Sequence, residues 1–322
     1  RFPAGVALPR RRGMSSDDSA AGPVQGLDEA ALLGYLDEHG LGAGALVEVK
    51  RIGEGHSNLT FLVRRETGEL VVRRPPPPPI PQGVHDVMRE ARVLSALRGR
   101  VPVARVYAAC ADESVLGAPF YVMEYFEGWV LTNTLPAAFE PAAERIRVSE
   151  ALVDALARLH AIDPDEVGLG DFGRPEGFVA RQLERHTRRW QEIKTRDIDA
   201  FDRTTHWLAD KLPPALPGRI LHGDYRLGNV MYAPQAPATL RAMFDWELST
   251  LGDPLVDLGY LLAFWVEPDD PPLKFLEMND VTRVGGFYTR EQVFERYVEQ
   301  TGAAVDSVRW YEVFALWRLT AM

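Results

Sequence analysis

Disulfides, membrane spans and excess positive charge are what this sequence lacks. Cys110 is the one cysteine in 322 residues, which excludes an intrachain disulfide and fits a reducing cytoplasm. The longest apolar run, Leu258–Val266, falls far short of the roughly 20 residues that cross a bilayer. Lys and Arg total 36 against 46 Asp and Glu, a formal net charge of −10. That balance argues against nucleic acid as the main partner and for good solubility. His160, His186 and His206 lack the spacing to Cys or to other His that a zinc site needs. The basic stretch Pro9-Arg10-Arg11-Arg12-Gly13 is not followed by an apolar segment, so a signal peptide is not expected. Because the sequence opens on Arg1 and stops at Met322 within a helical pattern, native termini beyond both ends are expected.

What is present divides in two. Residues 1–26 are rich in Ser, Asp, Ala and Gly and read as a flexible lead-in. Residues 27–126 begin with an amphipathic helix over Leu27–His39. Alternating apolar runs then predict strands at Val47–Ile52, Leu59–Arg64 and Glu69–Arg73, an antiparallel meander. Pro75–Pro79 can form only an extended segment. A helix over Val84–Leu97 and strands at Val103–Ala109 and Phe120–Tyr125 complete a five-stranded sheet carrying one important helix.

Residues 127–322 are helical, apart from a small β region around Asp224–Asp245. Helices are predicted over Pro141–His160, with Ile146, Leu152, Leu156 and Leu159 on one face, and over Phe178–Arg196 and Ile198–Leu212. Asp253-Pro254 is a cap followed by a favoured first residue, opening a helix to about Trp265. Thr289-Arg290-Glu291-Gln292 is a capping box for the next helix, which Gly302 ends, and Val305–Thr320 is the last. The fold class is therefore α+β, with a small antiparallel β-rich lobe and a larger helical one.

The richest chemistry lies in His222-Gly223-Asp224-Tyr225-Arg226-Leu227-Gly228-Asn229, followed a hairpin's length later by Phe244-Asp245. Asp224 is placed to accept a hydrogen bond from a substrate hydroxyl, align it and take its proton. Asn229 and Asp245 offer oxygen donors suited to a hard cation that bridges phosphate oxygens. Arg226 supplies a fixed positive charge for a transferring phosphoryl group. His222 is expected to brace the loop rather than act as a base. This is equipment for moving the γ-phosphoryl of ATP onto a hydroxyl with Mg²⁺.

These motifs resemble the aminoglycoside phosphotransferase and choline kinase-like superfamily, a branch of the protein-kinase fold. The phrasing of His222–Val230 and Asp245–Gly259 is most similar to the kinase-like domains fused to some acyl-CoA dehydrogenases. The resemblance covers about Val47 to the C-terminus and implies a bilobal kinase-like fold that uses ATP and Mg²⁺. It places Gly53, Gly55, Ser57 and Asn58 on a loop over the nucleotide phosphates, where glycine permits close backbone approach. It also places the phosphate-contacting strand residue in Val71-Val72-Arg73-Arg74, where most kinases carry Lys. Arg73 is favoured and Arg74 is the alternative, with Glu90 as the ion-pair partner. The backbone of Glu124 and Phe126 would face the adenine edge. Asp257 would bond the backbone of the Asp224 loop.

The expected acceptor is a small-molecule hydroxyl, on a hydroxyacyl-CoA-like metabolite or an aminoglycoside-like sugar. A catalytically weak nucleotide-binding pseudokinase with a scaffolding role is the rival. No Ala-Pro-Glu-type activation segment follows Asp245, which leaves little platform for a peptide substrate. Arg181, Arg185, Arg188 and Arg189 read as a solvated helix face or as the flank of an anionic substrate. Trp265, Trp310, Phe314 and Trp317, with Phe264, read as core between C-terminal helices.

Overall fold

The computed structural model describes residues 27–53, 58–77, 85–273, 280–305 and 307–320. The chain forms two compact units, one of residues up to Arg98 with Ala104–Glu127, the other of Gly99–Val103 with Gly128 onward. Gly99–Val103, expected in the first lobe, thus groups with the second. The reason is backbone bonding: the Pro102 carbonyl accepts the Met243 N–H, and Val103 bridges Met243.

The first unit is built on strands β1 (Leu46–Ile52), β2 (Leu59–Arg65), β3 (Gly68–Arg74), β4 (Val106–Cys110) and β5 (Phe120–Glu124). They form one antiparallel sheet in the order β1-β2-β3-β5-β4. Side chains alternate across a strand, so each face is set by parity. Phe61, Val63, Leu70, Val72, Phe120 and Val122 pack on one side with Leu32 and Leu36 of helix α1 (Glu29–Glu38). Val71, Arg73 and Tyr121, of the opposite parity, share the side of helix α2 (Val87–Leu97) with Glu90. Asp86 caps α2 by accepting the Arg89 N–H. A short helix that periodicity did not reveal, α3 (Glu113–Leu116), is capped by Asp112 and closed by Gly117.

The second unit carries helices α4 (Ala142–Ala161), α5 (Phe178–Ile193), α6 (Asp199–Asp210), α7 (Leu255–Ala263), α8 (Arg290–Thr301) and α9 (Arg309–Thr320). Two small antiparallel ribbons pair β6 (Arg219–Leu221) with β9 (Thr250–Gly252) and β7 (Val230–Tyr232) with β8 (Leu240–Met243). The Thr289 capping box and the left-handed Gly302 cap bound α8 as expected. On α4, Leu152, Leu156 and Leu159 are buried, but Ile146 is 41% exposed. Six residues before Leu152, it sits about 120° off their face. Trp190, Phe201, Trp317, Phe314 and Trp310 form a continuous aromatic stack through α5, α6 and α9. No helix among the described residues is long and apolar enough to cross a membrane.

Candidate active site

In the first unit, the chemistry converges on Glu90, which is 2% exposed. Arg73 lies opposite both Thr60 and Tyr121 in the sheet register, so the three share one face. Arg73 Nε donates to Glu90 Oε2 at 2.7 Å, and its Nη1 donates to Thr60 at 3.1 Å. The Tyr121 hydroxyl donates to Glu90 Oε2 at 3.0 Å, and Asn58 Nδ2 donates to Oε1. Arg74, of opposite parity, turns away: it donates to the Leu116 and Pro75 carbonyls, and burial lowers its pKa. Strand alternation therefore chooses Arg73 as the partner of Glu90. Asn58, expected to lie over phosphates, spends its amide on Glu90. Gly53 ends β1 with φ +80°, a conformation that favours glycine, while Gly55 and Ser57 lie outside the described residues. Glu124 closes β5, paired with Leu70 on β3, and its N–H donates to the Arg105 carbonyl. Phe126 follows it before the second unit begins.

In the second unit, the Asp224 loop hangs from a buried carboxylate. Asp257, in the first turn of α7, accepts the N–H groups of His222 at 2.6 Å and Gly223 at 2.9 Å. Burial alone would raise its pKa. The hydrogen bond and charge of His160, with His222 and the Gly223 N–H, outweigh it and hold the carboxyl below its ordinary value. Gly223 has φ +89°, and a Cβ there would lie 2.5 Å from the Leu248 carbonyl oxygen, so only glycine fits. His222 is fully buried and its pKa is lowered by that burial despite the nearby carboxylates. Its Nε2–H donates to the Phe244 carbonyl at 3.0 Å, and Nδ1 accepts the Asp224 N–H at 3.3 Å. A neutral ring satisfies both bonds, as a brace requires.

The same loop fixes the reactive groups. Asn229 Nδ2 donates to the Asp224 carboxylate and to its backbone carbonyl, each at 2.8 Å. Arg226 Nε lies 3.2 Å from Asp224 Oδ1, and its guanidinium sits 5.6 Å over the Phe264 ring. The Phe244 N–H donates to the Asn229 carbonyl at 3.0 Å, which ties the end of β8 to the loop. Asp245 follows with φ +69°, a left-handed conformation that costs a non-glycine residue about 1 kcal/mol. Such strain is kept where the surroundings dictate it, often at sites of chemistry. Asp224, Arg226, Asn229 and Asp245 therefore gather on one loop and one strand end. Tyr225, between them, is buried and anchors on the Leu152 carbonyl of α4.

Sequence reasoning foresaw Asp257 but missed Tyr260 and Arg318. Asp257, Tyr260 and Phe264 follow i, i+3, i+7 spacing, so one side of α7 and its cap serves the loop. Burial first, and then the Asp224 carboxylate it faces, push the Tyr260 phenol well above its ordinary pKa. Arg318 on α9 donates from Nη2 to the Gly223 carbonyl at 3.3 Å, and its guanidinium sits 5.0 Å over the Tyr260 ring. The spacing on α7 was available in the sequence, but no local pattern could bring residue 318 to residue 223. Asp253 caps α7 through the Leu255 N–H and accepts the Tyr311 hydroxyl at 2.7 Å, a structural role as expected.

Comparison with known proteins gives the family. Residues 48–280 match the phosphotransferase enzyme family. Acyl-CoA dehydrogenase family member 10 of Mus musculus is 32% identical over the whole chain, and the chain spans 30% of that protein's length. A Ralstonia eutropha crystal structure named for the aminoglycoside phosphotransferases is 34% identical with a TM-score of 0.78, covering 92% of this chain and 87% of the other. The GDP complex of aminoglycoside 2'-phosphotransferase-IIIa shares the kinase-like fold at 17% identity, with a TM-score of 0.64 and coverage of 90% and 89%. With its loop, strand end and five-stranded sheet in place, this chain belongs to the phosphotransferase enzyme family.

Proposed function

We propose that the protein is an ATP- and Mg²⁺-dependent phosphotransferase that moves the γ-phosphoryl group to a hydroxyl of a small molecule. The observation that carries this reading is the gathering of Asp224, Arg226 and Asn229 on one braced loop, tied to the strand end that bears Asp245. Asp224 orients the acceptor hydroxyl and accepts its proton. Arg226 holds positive charge beside the transferring group. Arg73, fixed by Glu90, meets the nucleotide phosphates, and the backbone of Glu124 and Phe126 recognises the base.

The donor set fits Mg²⁺. Asn229 and Asp245 are oxygen donors, and this ion is ordinarily held by one or two carboxylates together with phosphate oxygens. Those two residues would hold it, and when bound it neutralises charge on the phosphates. The acceptor is a hydroxyacyl-CoA-like metabolite in preference to an aminoglycoside-like sugar; the mouse relative, named for the acyl-CoA dehydrogenases, supports that preference.

Arg73 in place of the usual strand Lys favours one rival, a nucleotide-binding pseudokinase with a scaffolding role. Coupled ADP release across a panel of hydroxyacyl-CoAs, aminoglycosides and simple alcohols separates the two. Acceptor-dependent release that Asp224→Ala abolishes supports transfer. Nucleotide binding with no turnover in any arm, unchanged by Arg73→Lys, supports the pseudokinase.

A further inference from the structure

Arg226 pairs with Asp224, but a second cation at the same loop, Arg318, has no carboxylate to match among the described residues. Arg318 reaches the residue next to Asp224 through the Gly223 carbonyl, and it covers Tyr260, which faces Asp224. Its Nη2 makes that bond, while its Nε is buried with no hydrogen-bond partner. The close approach of α9 to α7 sets this position. A Cβ on Gly259 would lie 2.5 Å from Tyr311, and Arg318 follows Tyr311 two turns later on the same side.

Helix α5 adds to the cluster. Its basic face divides: Arg188 pairs with Glu184 in solvent, and Arg181 donates to the Arg174 carbonyl. Among the described residues Arg185 makes no ion pair; its Nη2 lies 3.5 Å from His186 Nε2. Arg185 and Arg189 are exposed, and partial desolvation followed by the like charges of Arg318 and Arg189 lowers the Arg185 pKa. His186 is buried against Trp317 with its Nδ1 unpartnered. Burial and the charges of Arg185, Arg318 and Arg189 hold it at about 4, so it adds no charge near neutral pH. Among the described residues, no carboxylate lies within ion-pair distance of Arg185, Arg189 or Arg318, in a chain whose net charge is −10. Like charges gathered this way repel one another, and an anion between them relieves that cost.

We infer that Arg318 and Arg185, with Arg189, form an anion subsite that holds a carboxylate or phosphate of the acceptor beside Asp224, and so selects acidic acceptors over polycationic sugars. This deepens the phosphotransferase reading and rests on it for the identity of the ligand as acceptor. An Arg guanidinium suits either anion, since its planar fork matches both oxygen pairs. The ammonium groups of an amino sugar would meet three guanidiniums, a repulsive element that discriminates as strongly as an attractive one.

The test is calorimetric and needs no turnover. The full chain is first titrated with Mg–ADP, and then, with Mg–ADP present, with 3-hydroxybutyryl-CoA, 3-hydroxybutyrate, glycerol 3-phosphate, glycerol and kanamycin. The expected result is binding of at least one anion and of neither glycerol nor kanamycin. Arg318→Gln should weaken the anion about tenfold or more, and Arg318→Lys should recover part of the loss. Arg185→Gln, at an exposed side chain whose recorded contact is a long one to His186, should weaken it about threefold and keeps the test decisive if Arg318→Gln does not fold. Binding of the carboxylate alone or the phosphate alone names the source of the anion. Anion affinity within twofold of wild type in both Gln variants, or no anion binding at all, overturns the subsite. Arg318-dependent anion binding without Mg–ADP binding leaves the subsite standing and sinks the phosphotransferase reading; Mg–ADP binding without anion binding does the reverse.

Discussion

Replacing Asp257 by Asn tests how the Asp224 loop is held. The carboxylate accepts two buried backbone N–H groups, from His222 and Gly223, and lies 3.4 Å from His160 Nε2. Asn keeps the shape but has one oxygen, so one N–H faces an NH₂ group and loses its acceptor. A hydrogen bond to a charged group contributes about 1.5–3 kcal/mol, and an orphaned buried donor costs about 1–3 kcal/mol. The expected loss is about 3 kcal/mol, which lowers the melting temperature of a unit of about 200 residues by roughly 6–12 °C.

The pH dependence follows from the depressed pKa of the Asp257 carboxyl. A carboxylate held below its unfolded value of about 3.9 stabilises the fold above that pH, and the contribution is lost as pH falls through the folded value. The gap between wild type and Asp257→Asn should therefore be full at pH 6 and shrink below about pH 4. Denaturant titrations across that range measure it. A cost below about 1 kcal/mol at pH 6, or a gap that widens in acid, would refute the bracing argument.

Three further outcomes are expected. Glu90→Ala strands Arg73, Tyr121 and Asn58 without their shared acceptor, so urea denaturation followed in the first unit should show a loss of about 3–5 kcal/mol. Gly223→Ala forces a side chain into φ +89° and against the Leu248 carbonyl, and should cost about 2 kcal/mol of stability in thermal melts, whereas Gly117→Ala, with open space around it, should cost less. His186, held neutral with a pKa of about 4, binds a proton more readily when unfolded, so stability should fall from about pH 6.5 toward pH 4. Partial screening limits that fall to about 2 kcal/mol, and His186→Gln should flatten it.

The readable parts of this fold are those governed by local rules. Strand alternation puts Arg73 and Arg74 on opposite sides of the sheet, while the side that α2 and Glu90 cover is set by the fold. The Thr289 capping box and the Asp253 cap are likewise set by neighbours within four residues. What escaped depended on distant contacts. Asn58 points to Glu90 because a residue 32 positions away offers a buried acceptor. Arg318 reaches the loop only because Gly259 lets α9 approach α7. The left-handed backbone of Asp245 leaves only a weak trace in its type, since Asp merely tolerates that conformation better than most residues.

The central claim is that Asp224 serves phosphoryl transfer to an acceptor hydroxyl. Its most direct test is transfer of label from γ-labelled ATP in the presence of Mg²⁺, comparing wild type with Asp224→Asn across hydroxyacyl-CoAs and amino sugars. The account predicts acceptor-dependent labelling that falls at least about 1,000-fold in Asp224→Asn while Mg–nucleotide affinity stays within a few fold. Equal labelling by the two proteins would contradict it.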